Sequence, residues 1–149
     1  MYRSALLAAT ALGLALCTIT PTAASAASQA ETATSCGNSG LQAGLATRVC
    51  ADITGTTVTF HGKVALAGPP SPGSPQPQTR ELLTTLTVEI LGAAPPQTQF
   101  RPALFTGAAL VVGAPAVTAP CGATVRGTFG VASYPHAARP VVHEVTLTC

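Results

Sequence analysis

The chain has 149 residues, of which 47% are hydrophobic and 8% charged, with 14 Gly, 13 Pro, five Cys and no Trp. That length suits one domain behind an exported leader and leaves no room for a second folded unit of ordinary size. Seven Lys and Arg against five Asp and Glu give a formal net charge of +2. These charges are scattered singly, so no electrostatic footprint for nucleic acid or an anionic membrane is expected.

Residues 1–26 read as a secretory signal peptide. Met1-Tyr2-Arg3 is a short basic start, Ala5 to Ile19 is an almost unbroken apolar run, and Ala24-Ser25-Ala26 offers a small-x-small cleavage site. A membrane anchor would need roughly 20 apolar residues, and the polar, proline-bearing stretch after Ile19 stops the run short. Lipid attachment at Cys17 is disfavoured by the bulky Leu16 before it. The expected mature chain begins near Ala27 and is secreted to the extracellular space, without membrane association after cleavage. Few Lys, a single Asn and much Ala, Gly, Pro, Thr and Val are similar to the composition of small exported proteins written in GC-rich codons.

Cys36, Cys50, Cys121 and Cys149 remain after cleavage. An even count in an exported domain reads as two disulfides. Loop nesting favours Cys36 with Cys50 and Cys121 with Cys149. A zinc site is the competing reading, but there is no CxxC pair and no His at ligand spacing. Neither a metal nor a cofactor is implied.

Residues 27–40 form a small, polar stretch without periodicity, expected as a flexible arm ordered only near Cys36. The folded domain is expected over 41–149. From Leu45 the pattern turns to period two: Leu45, Thr47, Val49, Ala51 and Ile53, then, past Thr54-Gly55, Val58, Phe60, Gly62, Val64 and Leu66. This predicts a hairpin with Val49 opposite Phe60 and Ala51 opposite Val58, and with Arg48, Asp52, His61 and Lys63 outside. Residues 68–78 are too rich in Pro to form a ladder and read as an exposed loop.

Leu82, Thr84, Leu86, Val88 and Ile90 alternate with Leu83, Thr85, Thr87, Glu89 and Leu91 and predict a strand over 81–91; a helix also matches Leu82, Leu83, Leu86 and Ile90, but the three Thr and the β-branched end favour the strand. Phe100 to Phe105, with Pro102 inside, reads as a short edge strand or a loop. A further strand is expected over 107–113. The last stretch predicts a hairpin in which Val125 meets Val145, Gly127 meets His143 and Phe129 meets Val141, with 133–139 as the connection. In that register Cys121 and Cys149 share the core-facing parity. The fold class is thus all-β: a small disulfide-bonded sandwich, immunoglobulin-like in broad architecture, with six or seven short antiparallel strands.

No frame for a catalytic serine is present, and adjacent positions on a strand keep His143 and Glu144 on opposite faces. Carbohydrate stacking would want exposed aromatic platforms, yet the only Tyr after the leader is Tyr134. Tyr134-Pro135-His136 is the best exposed recognition patch, and Arg80 at the end of the proline loop is the second candidate. The expected function is a secreted, non-enzymatic binding or structural protein, monomeric, with an unknown protein or cell-wall partner. The alternative is a protease inhibitor presenting Arg80 as the specificity residue; a small hydrolase comes third.

Overall fold

The structure, a computed structural model, describes residues 31–149 except 70, 74, 76 and 94. The signal-peptide reading of 1–26 and the first residues of the expected arm lie outside the described residues. Ten strands follow in chain order: β1 (Thr32–Cys36), β2 (Gly40–Gln42), β3 (Leu45–Thr54), β4 (Thr57–Leu66), β5 (Arg80–Ile90), β6 (Gln97–Phe105), β7 (Leu110–Gly113), β8 (Val117–Thr118), β9 (Thr124–Ala132) and β10 (Val141–Thr146). One sheet runs β1–β3–β4–β7, with β2 also pairing β3 and β8 pairing β4; the other runs β10–β9–β5–β6. The fold is an all-β sandwich with both expected disulfides, Cys36–Cys50 and Cys121–Cys149. Six strands are long; the excess over the expected number comes from the short β1, β2, β7 and β8.

Alternation decides what lies between the sheets. Val49, Ala51, Val58, Phe60 and Val64 from the first sheet meet Leu82, Leu86, Val88, Val125, Phe129 and Val131 from the second, all buried. At the centre the two sheets interlock reciprocally. The Phe60 ring of β4 fills the space where a side chain at Gly127 of β9 would stand, and the Phe129 ring of β9 fills the space at Gly62 of β4. Both rings are fully buried. Each glycine is required because a ring from the facing sheet occupies the place of its Cβ.

The last hairpin has the predicted register, with Val125 opposite Val145, Gly127 opposite His143 and Phe129 opposite Val141. The first hairpin differs from expectation by two residues. Ile53 pairs with Val58, Ala51 with Phe60 and Val49 with Gly62, around a two-residue turn at Gly55-Thr56. A shift of two keeps every side chain on its face, so the core set is unchanged. The alternation alone fits both registers, each with a two-residue turn, and the observed one places Gly55, whose φ is 59°, at the first turn position, where a positive φ is required.

Three other expectations need correction. The arm is not free: Thr32–Cys36 pairs along Cys50–Thr54, and Gly40–Gln42 pairs with Leu45–Thr47. Its Ser, Thr and Ala carry no apolar period because β1 is an edge strand whose side chains are mostly exposed. Threonine hydroxyls join it instead, Thr32 to Thr54 at 2.8 Å and Thr34 to Asp52 at 2.6 Å. β6 spans nine residues rather than a short piece, with Pro102 tolerated at the sheet edge. Finally, Cys121 and Cys149 lie beyond the ends of β9 and β10 and are exposed rather than core-facing.

The interlock makes a direct prediction. Gly127→Ala drives a methyl into the fully buried Phe60 ring, and should cost about 1–3 kcal/mol in urea unfolding. Gly113→Ala, which faces open space, should stay within about 0.5 kcal/mol of the parent.

Candidate functional site

The site forms where one end of the β5–β6 pair meets the connection between β9 and β10. Because Leu82, Thr84 and Leu86 face inward, Glu81, Leu83 and Thr85 face out. Leu83 stands between Ala132 of β9 and Pro102 of β6, and Leu104 stands opposite Glu81 on the same outer face. A small neighbour on one side and a rigid one on the other leave Leu83 uncovered. Leu83 is 50% exposed and Leu104 57%.

The wall beside these leucines is the turn Ser133 to His136. Its ends exchange two backbone hydrogen bonds, Ser133 N to His136 O at 3.1 Å and His136 N to Ser133 O at 2.6 Å. The Tyr134–Pro135 peptide within it is cis. The Ser133 hydroxyl donates to the Glu81 carbonyl at 3.0 Å, fastening the turn to β5. Tyr134 is 99% exposed. Past the turn, Ala138 and Pro140 lie over Gly130, where the connection crosses the sheet.

A buried glutamine holds this connection. Gln42 donates through Nε2 to Thr47 Oγ1 at 2.8 Å and to the Phe129 carbonyl at 3.1 Å, and its Oε1 accepts from Val131 N at 2.8 Å and Arg139 N at 3.1 Å. Val131 lies beyond the last β9–β10 pair, so the side-chain amide supplies the ladder partner that β10 does not. Gln42 is thereby a peptide-like bridge from the first sheet to the second. Arg80 adds another: at the start of β5 its Nη1 donates to the Ala43 carbonyl at 3.0 Å.

The result is an open groove of about 970 Å³ lined by residues that include Arg80, Leu83, Leu104, Tyr134 and His136. All three recognition residues expected from the sequence, Arg80, Tyr134 and His136, meet there although they are far apart in the chain. Arg80 is not on the proline loop, however. It opens β5 with its backbone in register with Phe105, so the Arg80–Glu81 bond is part of a ladder. Leu83, Leu104 and Pro102 escaped the sequence reading. Leu83 carried a signal, an apolar residue on the polar side of an alternating strand; Leu104 carried none until β6 had a register.

The remaining candidates are placed elsewhere. His143 is half-buried and its Nε2 lies 2.9 Å from Ser35 Oγ, joining β10 to β1 across the sandwich. The space at Gly127, which pairs with His143, is taken by Phe60. Glu144 points away and accepts from Arg126 Nε at 2.7 Å, while Arg126 also reaches Glu89. Arg48, Asp52, His61 and Lys63 share the outer face of the β3–β4 hairpin as expected, and His61 Nδ1 lies 3.1 Å from Asp52 Oδ2. Among the described residues no three His, Cys, Asp or Glu gather as a metal-binding group. No protein-family model, curated protein or solved structure matches the chain.

Removing the Gln42 bridge tests how the groove wall is held. Gln42→Leu strips the partner from the buried Val131 N–H, the part-buried Arg139 N–H and the Phe129 carbonyl, with a buried group costing about 1–3 kcal/mol when orphaned and the part-buried one less. The expected loss is about 3 kcal/mol or more in urea unfolding. The Val131 and Arg139 amides should also exchange with solvent at least tenfold faster than in the parent.

Proposed function

We propose that the chain is a secreted binding module. Its groove takes an extended segment of a partner protein that carries apolar side chains and an acidic group. The observation that carries this reading is the pairing of two uncovered leucines with a fully exposed tyrosine on a hydrogen-bonded turn. Single exposed apolar residues are ordinary, but a contiguous set rimmed by polar groups is what recognition surfaces present. A hydrogen-bonded turn also limits the ordering cost of binding. Arg80 keeps guanidinium donors beyond the one given to Ala43, which suits a carboxylate.

Recognition is favoured over chemistry because the groove is lined mostly by apolar groups and the Ser133 hydroxyl already donates to the Glu81 carbonyl. It is favoured over inhibition through the proline loop because Arg80 belongs to a ladder. Panning a displayed random-peptide library against the immobilised protein should enrich sequences with apolar and acidic residues. These should lose at least tenfold in affinity against Leu104→Lys or Tyr134→Ser. Enriched peptides that bind both variants as well as the parent would reject the groove as the site.

Two disulfides are compatible with an oxidising, extracellular setting, and the basic, apolar and small-x-small order of residues 1–26 supports export. Intact mass of protein recovered from the medium should correspond to a chain beginning at Ala27 or within a few residues of it. Retention of Met1 would remove the leader reading.

A further inference from the structure

The outer face of the first sheet, away from the groove, brings one disulfide into a row of charged and titratable groups. Cys36 of β1 stands opposite Cys50 of β3, and Cys50 stands opposite His61 of β4. The adjacent row holds Arg48 opposite Lys63, and the row on the other side holds Thr34, Asp52 and Thr59. Asp52 engages the His61 Nδ1 and itself accepts from Thr34, which fixes the ring and leaves Nε2 as its remaining acid–base atom. Cys36 is exposed and Cys50 is fully buried. Arg48 and Asp52 lie within two positions of Cys50, whereas no charged residue lies within two positions of Cys121.

We propose that Cys36–Cys50 is a thiol-exchange site for small acidic thiols. The incoming thiolate attacks the accessible Cys36 Sγ; the new S–S bond joins it to Cys36 while the Cys36–Cys50 bond breaks and its electron pair leaves on Cys50 Sγ. Cations beside a sulfur stabilise a thiolate, and a better leaving thiolate departs faster. Arg48 and Lys63 supply that positive field and the His61 ring stands opposite Cys50; among the described residues of β1, β3 and β4, Asp52 is the only carboxylate. A second thiolate attacking the mixed disulfide at its own sulfur releases the oxidised small thiol and leaves Cys36 as a thiolate. The acidic thiol is thus the reductant. Like charges at Arg48 and Lys63, directly opposed and destabilising to each other, give that thiol a reason to approach this face.

The test compares two thiols of opposite charge at both disulfides, and the Lys63→Gln arm separates charge from size, because removing one cation leaves the size difference unchanged. The folded protein is incubated with glutathione or with cysteamine, quenched by alkylation and mapped by mass spectrometry. The rate of opening Cys36–Cys50, divided by that of Cys121–Cys149, should be at least fivefold higher with glutathione than with cysteamine. The adduct should sit on Cys36. Lys63→Gln should bring the two ratios within twofold of each other, and His61→Gln should slow opening of Cys36–Cys50 at least fivefold with both thiols while Cys121–Cys149 is unchanged. Equal ratios for the two thiols in the parent, an adduct on Cys50, or a His61→Gln rate equal to the parent's would overturn the proposal. Should either variant fail to fold, the parent's two ratios and adduct position decide the matter.

Discussion

Two phenylalanines and two glycines set the distance and the alignment of the sheets. A sandwich needs inner side chains that interdigitate over about 10 Å, and here the bulkiest of them are aimed at positions with no side chain. Phe60 and Gly62 lie two apart on β4, and Gly127 and Phe129 lie two apart on β9, so each strand offers a ring and a hole on the same inner face. Sliding one sheet by a residue pair along the other would set ring against ring in one direction and hole against hole in the other. The interlock therefore specifies one alignment, and burial of each ring, about 1.5–3 kcal/mol, is available only in it.

That alignment reaches the rest of the molecule through the strands flanking β4 and β9. β5 pairs with β9 from Leu83 to Ile90, which places Leu83 outward beside Ala132. β3 pairs with β4 over its whole length, which puts Cys50 beside His61 on the outer face. The groove and the charged disulfide row lie on opposite outer faces of the sandwich. Both are set by the registry of strands that meet at the same central contact.

Much of this frame was legible from residues and some of it was not. The β9–β10 register could be read because disulfide, apolar parity and loop length all pointed to one pairing. The β3–β4 register could not, because alternation over ten residues is blind to shifts of two and only the turn distinguishes them. The N-terminal arm was illegible for a different reason: its pairing rests on backbone groups, threonine hydroxyls and Cys36, none of which leaves an apolar period. The ring-and-hole interlock needs a partner from another sheet, and no local pattern reports such a partner. Of the groove, Arg80, Tyr134 and His136 were suggested by exposure and chemistry, while their convergence depended on the order β10–β9–β5–β6.

The turn between β2 and β3 connects these levels. Gln42 and Leu45 are paired, and Ala43 and Gly44 between them both have positive φ, 49° and 74°, the backbone form that matches strand twist in a two-residue hairpin. For Ala43 that conformation costs about 1–2 kcal/mol relative to the right-handed one. It stands at the position whose carbonyl accepts Arg80, next to the side chain that holds Val131 and Arg139. A short turn on one sheet thus fixes both sides of a groove carried by the other. The β2–β3 hairpin, at the start of the expected domain, organises the surface on which recognition is proposed.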